Sequence, residues 1–119
     1  MTHQMNLHPG PFSHIADGSK TIELRLNDEK RRLIRVGDTL VFTCRDTGAR
    51  LAARVVALHT FPDFAALYRA LPLERCGYLP EEVATASPDD MLLYYTAEQQ
   101  ARYGVLGIEI QLTESENPV

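Results

Sequence analysis

Lys20, Glu23 and Arg25 are the residues of this chain whose types and spacing most readily do chemistry. In an extended strand Glu23 and Arg25 project from one face, about 6.6 Å apart along the chain. Lys20 stands at the start of that strand, just after Gly18, and its long stem can bend toward either face. A carboxylate between two cations stays ionised, and the cations remain able to meet an incoming anion. Arg25 could grip a phosphate or a carbonyl edge as a planar fork, with Lys20 as a mobile point charge. Glu23 could accept from an exocyclic amine or a sugar hydroxyl. The same trio would also serve as a salt-bridge network that merely solvates the outer face of a sheet.

Further candidates lie nearby. Residues 20–54 hold nine of the twelve Lys and Arg but only five of the sixteen acids, a local surplus of positive charge on a chain of net charge −4. Screening confines each charge to about 8–10 Å, so such a stretch can attract phosphate even on an acidic protein. Arg31 and Arg32 are therefore candidate ligand contacts; the plain alternative is a solvated loop face. Tyr94, with Tyr95 and Tyr103, could stack a base, worth roughly 1–3 kcal/mol per base, or could sit in the core with its hydroxyl at the rim. His3, His8 and His59 share no metal-ligand spacing. Cys44 and Cys76 make neither a metal spacing nor a disulfide framework and read as reduced thiols. No metal and no cofactor are expected. Neither a phosphate-cradling glycine loop nor a serine nucleophile elbow is present.

The elements that must position these side chains follow from periodicity. His3–Leu7 reads as a short strand ended by Pro9-Gly10-Pro11. Phe12, Ile15 and Ala16 recur at helical spacing before Gly18. Lys20–Leu26 alternates, with Ile22, Leu24 and Leu26 on one face and Thr21, Glu23 and Arg25 on the other. Thr39–Cys44 and Arg50–His59 form a hairpin across Asp46-Thr47-Gly48. Thr60 is the expected cap of a helix carrying Phe64, Leu67, Tyr68 and Leu71 on its buried stripe. Ser87-Pro88-Asp89-Asp90 and Thr96 with Gln99 are helix-start signals, so two short helices should flank Tyr94-Tyr95. Val105–Leu112 is a last strand.

At 119 residues, 45% hydrophobic and 24% charged, the chain has the makings of one globular domain. That domain is expected over residues 1–112, followed by a flexible polar tail, 113–119. No apolar run is long enough to span a membrane, and the N-terminal residues lack the pattern of a secretory signal. A cytoplasmic protein is the expectation. Short strands joined by a hairpin, with several short helices, indicate an α+β fold. A small, partly closed β-barrel with helices over its openings fits best.

Gly18-Ser19-Lys20-Thr21-Ile22-Glu23-Leu24-Arg25, preceded by Pro11-Phe12 and Ile15, resembles the G-x-K-x-x-E-x-R signature of the ASCH (activating-signal-cointegrator homology) domain, of the PUA-like superfamily. Val36–Phe42 is similar to the family's second landmark, a turn leading into a barrel strand. Tyr94-Tyr95, Tyr103-Gly104-Val105 and the closing strand resemble small bacterial stand-alone members. The resemblance implies a β-barrel with a cleft beside the signature strand, and Lys20, Glu23 and Arg25 as contacts for RNA or its components. One branch of the wider family hydrolyses N4-acetylated cytidine with a lysine, a threonine three positions later and a distant glutamate. Lys20 matches that lysine, but Glu23 fills the threonine slot. Another branch cleaves single-stranded RNA with a tyrosine six residues before the lysine, a slot that holds His14 here. A histidine there could act as general base toward a 2′-hydroxyl. The expectation is an RNA- or nucleotide-binding protein. A hydrolase acting through Lys20 and Glu23 on a modified nucleoside or single-stranded RNA is one alternative, and a protein-interaction module the other.

Overall fold

The computed structural model describes residues 1–113. Five strands, β1 (Thr2–Leu7), β2 (Ile22–Leu26), β3 (Thr39–Cys44), β4 (Arg50–Phe61) and β5 (Val105–Leu112), form one sheet in the order β1-β3-β4-β5-β2. β1 runs parallel to β3, and every other pairing is antiparallel. The sheet curls into a half-barrel, and with its helices makes an α+β fold. Its two edges, β1 and β2, are the strands left without a second partner.

Three α-helices, α1 (Pro9–Ala16), α2 (Phe64–Ala70) and α3 (Ala97–Tyr103), are joined by 3₁₀ turns at Arg31–Leu33 and, in succession between α2 and α3, at Leu73–Cys76, Pro80–Thr85 and Pro88–Leu93. Pro9 ends β1 and also opens α1, because its fixed φ suits a first helical turn. The two predicted start signals form as capping boxes: Ser87 with Asp90, and Thr96 with Gln99. Thr60 does not cap α2. It lies within β4 opposite Leu106, so sheet pairing carries the strand on to Phe61. Asp63 caps the helix instead, its Oδ1 accepting from the Ala66 N–H at 2.9 Å.

Hydrophobic side chains gather in two cores. One holds Ile15, Leu40, Phe42, Val55, Leu106 and Ile108. The other packs Ile22, Leu24 and Leu26 of β2 against Phe64, Leu67 and Tyr68 of α2. Burying such a side chain is worth about 1.5–3 kcal/mol, so this apolar face fixes the orientation of β2. Gly107, on β5, admits the approach of Leu71: a Cβ there would stand 2.9 Å from Leu71 Cδ1. With Ile22, Leu24 and Leu26 locked against α2, Glu23 and Arg25 must point the other way. At the last described residue, Thr113 donates to the Ala52 carbonyl from both N–H and Oγ1. The rest of the expected flexible tail, residues 114–119, lies outside the described residues.

Candidate functional site

Lys20, Glu23 and Arg25 converge. Glu23 Oε1 lies 3.1 Å from Lys20 Nζ, and Arg25 Nε donates to Glu23 Oε2 at 2.8 Å. Glu23 is 4% exposed and Lys20 8%. Burial disfavours the charge on Glu23, but the adjoining charges of Lys20 and Arg25, with their hydrogen bonds, outweigh it and hold the carboxyl below its ordinary value. The strand alternation placed Glu23 correctly on the face opposite Ile22, yet that face is enclosed rather than washed by solvent.

Neighbours complete the arrangement. Lys20 Nζ also donates to the Cys76 carbonyl at 3.1 Å. That carbonyl is presented by the turn ending at Gly77, whose φ of +108° suits glycine, and a Cβ on Gly77 would stand 3.3 Å from Lys20 Cδ. Arg25 Nη2 donates to the Asn6 carbonyl at 3.1 Å. Asn6 belongs to β1 and Arg25 to β2, so this side chain ties together the two open edges of the half-barrel.

The trio borders a cleft of about 750 Å³, also lined by His14, Arg45, Tyr78, Asp90 and Tyr94. Tyr94 is 61% exposed and offers a ring face, while Tyr95 behind it stacks on Phe64 at 6.0 Å and 19°. Tyr103 instead packs against the core around β2. His14 lines the cleft with Nδ1 3.3 Å from Ser19 Oγ. Arg31 pairs with Asp28 at 3.3 Å and lines a smaller adjoining recess with Arg25. Arg32 lines neither hollow: its guanidinium donates to the carbonyls of Asn27 and Tyr103. The basic loop thus divides, with Arg31 toward the site and Arg32 pinning backbone.

A hydroxyl chain at the far side of the cleft was not legible in the sequence. Tyr78 donates to Asp90 Oδ2 at 2.8 Å, which leaves its oxygen to accept from Tyr68 at 2.7 Å. Burial, and then the bonds to Tyr68 and Asp90, push the Tyr78 phenol far above its usual range, so it stays protonated. In the sequence Asp90 shows only as a helix-start acid and Tyr68 only as a core residue. Burial likewise raises the Cys76 thiol to about 11, which leaves it a poor nucleophile at neutral pH. Among the described residues no group of three or more His, Cys, Asp and Glu could hold a metal ion, and no helix is long and apolar enough to cross a membrane.

Solved structures resemble the whole of this architecture. The chain is 30% identical to hypothetical protein PH0355, covering 95% of this chain and 100% of that one with a TM-score of 0.77. It is 33% identical to protein PF0455 from Pyrococcus furiosus, covering 96% and 99% with a TM-score of 0.69. An ASCH protein from Zymomonas mobilis, solved as an S128A mutant, shares the fold at 13% identity and a TM-score of 0.68, covering 99% of this chain and 72% of that one. Comparison with curated proteins finds no match. The ASCH domain model matches residues 5–114, nearly the full length. With its signature strand, its half-barrel and that match in agreement, the chain belongs to the ASCH domain family.

Proposed function

We propose that this protein binds RNA, or a nucleotide-sized piece of it, in the cleft beside β2. The observation that carries the reading is the buried Glu23 carboxylate held between Lys20 and Arg25 at the border of a hollow of about 750 Å³. Around β2 two cations face one anion and Arg45 adds a third cation, while Glu82 and Asp90 are the other acids of the cleft. Of Arg25's five N–H groups, two serve Glu23 and Asn6, so the fork keeps donors for a phosphate or a carbonyl edge. Tyr94 supplies an exposed ring on which a base could stack. The pairing fixes both cations before a ligand arrives, which lowers the ordering cost of binding.

Hydrolysis through Lys20 and Glu23 draws less support from the same geometry. An acid–base pair must give and take protons. Glu23 is held ionised with both oxygens engaged, and Lys20 is anchored to two oxygens. Arrangements of this kind position a ligand more readily than they move a proton. The two free cysteines, both buried, suit the reducing cytoplasm in which we place the protein.

A thermal-shift series with nucleosides, nucleotides and short single-stranded RNAs tests the proposal. A ligand at 100 times its dissociation constant should stabilise the fold by about 2.7 kcal/mol, a rise in Tm of several degrees. No shift with any of these ligands would overturn it.

A further inference from the structure

Beside the main cleft lies a recess of about 230 Å³ lined by Gln4, Met5, Asn6, Arg25, Lys30, Arg31 and Arg45. Four of these seven side chains are cationic and none is acidic. Asp28 pairs with Arg31, and Glu23 with Arg25, which still leaves Lys30 and Arg45 uncompensated by any ion pair among the described residues. Like charges gathered around a small hollow repel one another, and an anion placed among them relieves that repulsion. Arg31 also carries an unpartnered donor. Its Nε is buried and none of the described residues accepts from it, although buried donors in folded proteins are nearly always paired.

The recess adjoins the cleft. Asn6, Arg25 and Arg45 line both hollows, so an occupant of one adjoins an occupant of the other. The lining suits a tetrahedral oxyanion: guanidinium forks donate bidentately to phosphate, and amide side chains such as Gln4 and Asn6 add neutral donors. Nothing apolar of any size except Met5 borders it, so a nucleobase finds no surface there.

We infer that this recess is a second phosphate subsite, holding the phosphate that follows the nucleotide in the main cleft, and that the ligand is therefore a strand and not a single nucleotide. The inference rests on the proposed RNA reading of the cleft and extends it to the length of the ligand. Arg25 then stands between consecutive units of the strand. Arg31 grips the second phosphate from the side of the 3₁₀ turn, and Arg45 from the end of β3.

Isothermal titrations of wild type, Arg31→Gln, Arg45→Gln and Arg25→Gln against a mixed-sequence single-stranded RNA decamer, the four nucleoside monophosphates and a nucleoside diphosphate, over a salt series, test it. The wild type should bind the decamer more tightly than any mononucleotide. Arg31→Gln should lower decamer affinity about tenfold, the loss expected for one charge-assisted hydrogen bond. It should also reduce the slope of log K against log salt by about 0.7, one phosphate's worth. Arg45→Gln, at an exposed residue, should do the same if Arg31→Gln, stripped of its Asp28 partner, fails to fold. Decamer affinity and slope that hold in both variants but fall in Arg25→Gln would sink the second subsite and leave the cleft reading standing. A diphosphate that binds as tightly as the decamer and loses as much in Arg31→Gln would overturn the strand. Failure of the wild type to bind decamer and mononucleotides alike would overturn both readings.

Discussion

Glu23 is the residue on which the site turns. Withdrawing an ion from water costs several kcal/mol, and here that cost is offset by two cations at 3.1 and 2.8 Å. Removing the anion strands Lys20 in a buried position, so Glu23→Gln should lower stability by about 3 kcal/mol in denaturant unfolding. The same residue sets an acid dependence. Because its folded-state value lies below the ordinary 4.5, its contribution is fully present above that pH. It is lost as pH falls from there through the depressed folded value. Unfolding measured between about pH 6 and pH 2 should show the wild type losing stability below about 4.5, and Glu23→Gln losing less over the same span. Equal losses in the two proteins would place the acid sensitivity elsewhere.

At the level of elements, the site is a meeting of pieces distant in the chain: the β2 strand, the turn at Cys76-Gly77, and Asn6 on the opposite edge. Gly77→Ala tests the turn. A side chain at φ +108° is strained, and the new Cβ crowds Lys20. The variant should lose about 1–2 kcal/mol in denaturant unfolding and bind ligand more weakly than wild type in titration. Much of this scale was legible beforehand. The alternation Ile22-Glu23-Leu24-Arg25-Leu26 fixed which side chains share a face, and Ser87, Pro88, Thr96 and Gln99 announced helix starts because capping is local chemistry. What stayed hidden was non-local. Thr60 looked like a cap because nothing in its neighbourhood says that β5 will pair with it. Alternating polar residues read as solvent-facing, so the burial of Glu23 could not be seen. The Cys76 carbonyl and the Tyr68–Tyr78–Asp90 chain depend on approaches that no spacing encodes.

For the whole molecule, the sheet order leaves β1 and β2 as open edges on either side of the cleft. Had β1 and β2 paired, the barrel would have closed, and the Asn6 carbonyl would have gone to a backbone N–H instead of Arg25. Along the open edge, Arg25, Lys30, Arg31 and Arg45 gather around one recess of an acidic protein. Association with RNA should then depend steeply on salt despite the net charge of −4. The most direct measurement is fluorescence anisotropy of labelled single-stranded RNA titrated with wild type and Arg25→Gln across a salt series. The account predicts affinity that falls linearly on a log–log plot, with a slope of about −0.7 for each phosphate engaged, and a loss of about tenfold in the variant. Affinity flat across salt and equal in the two proteins would contradict it.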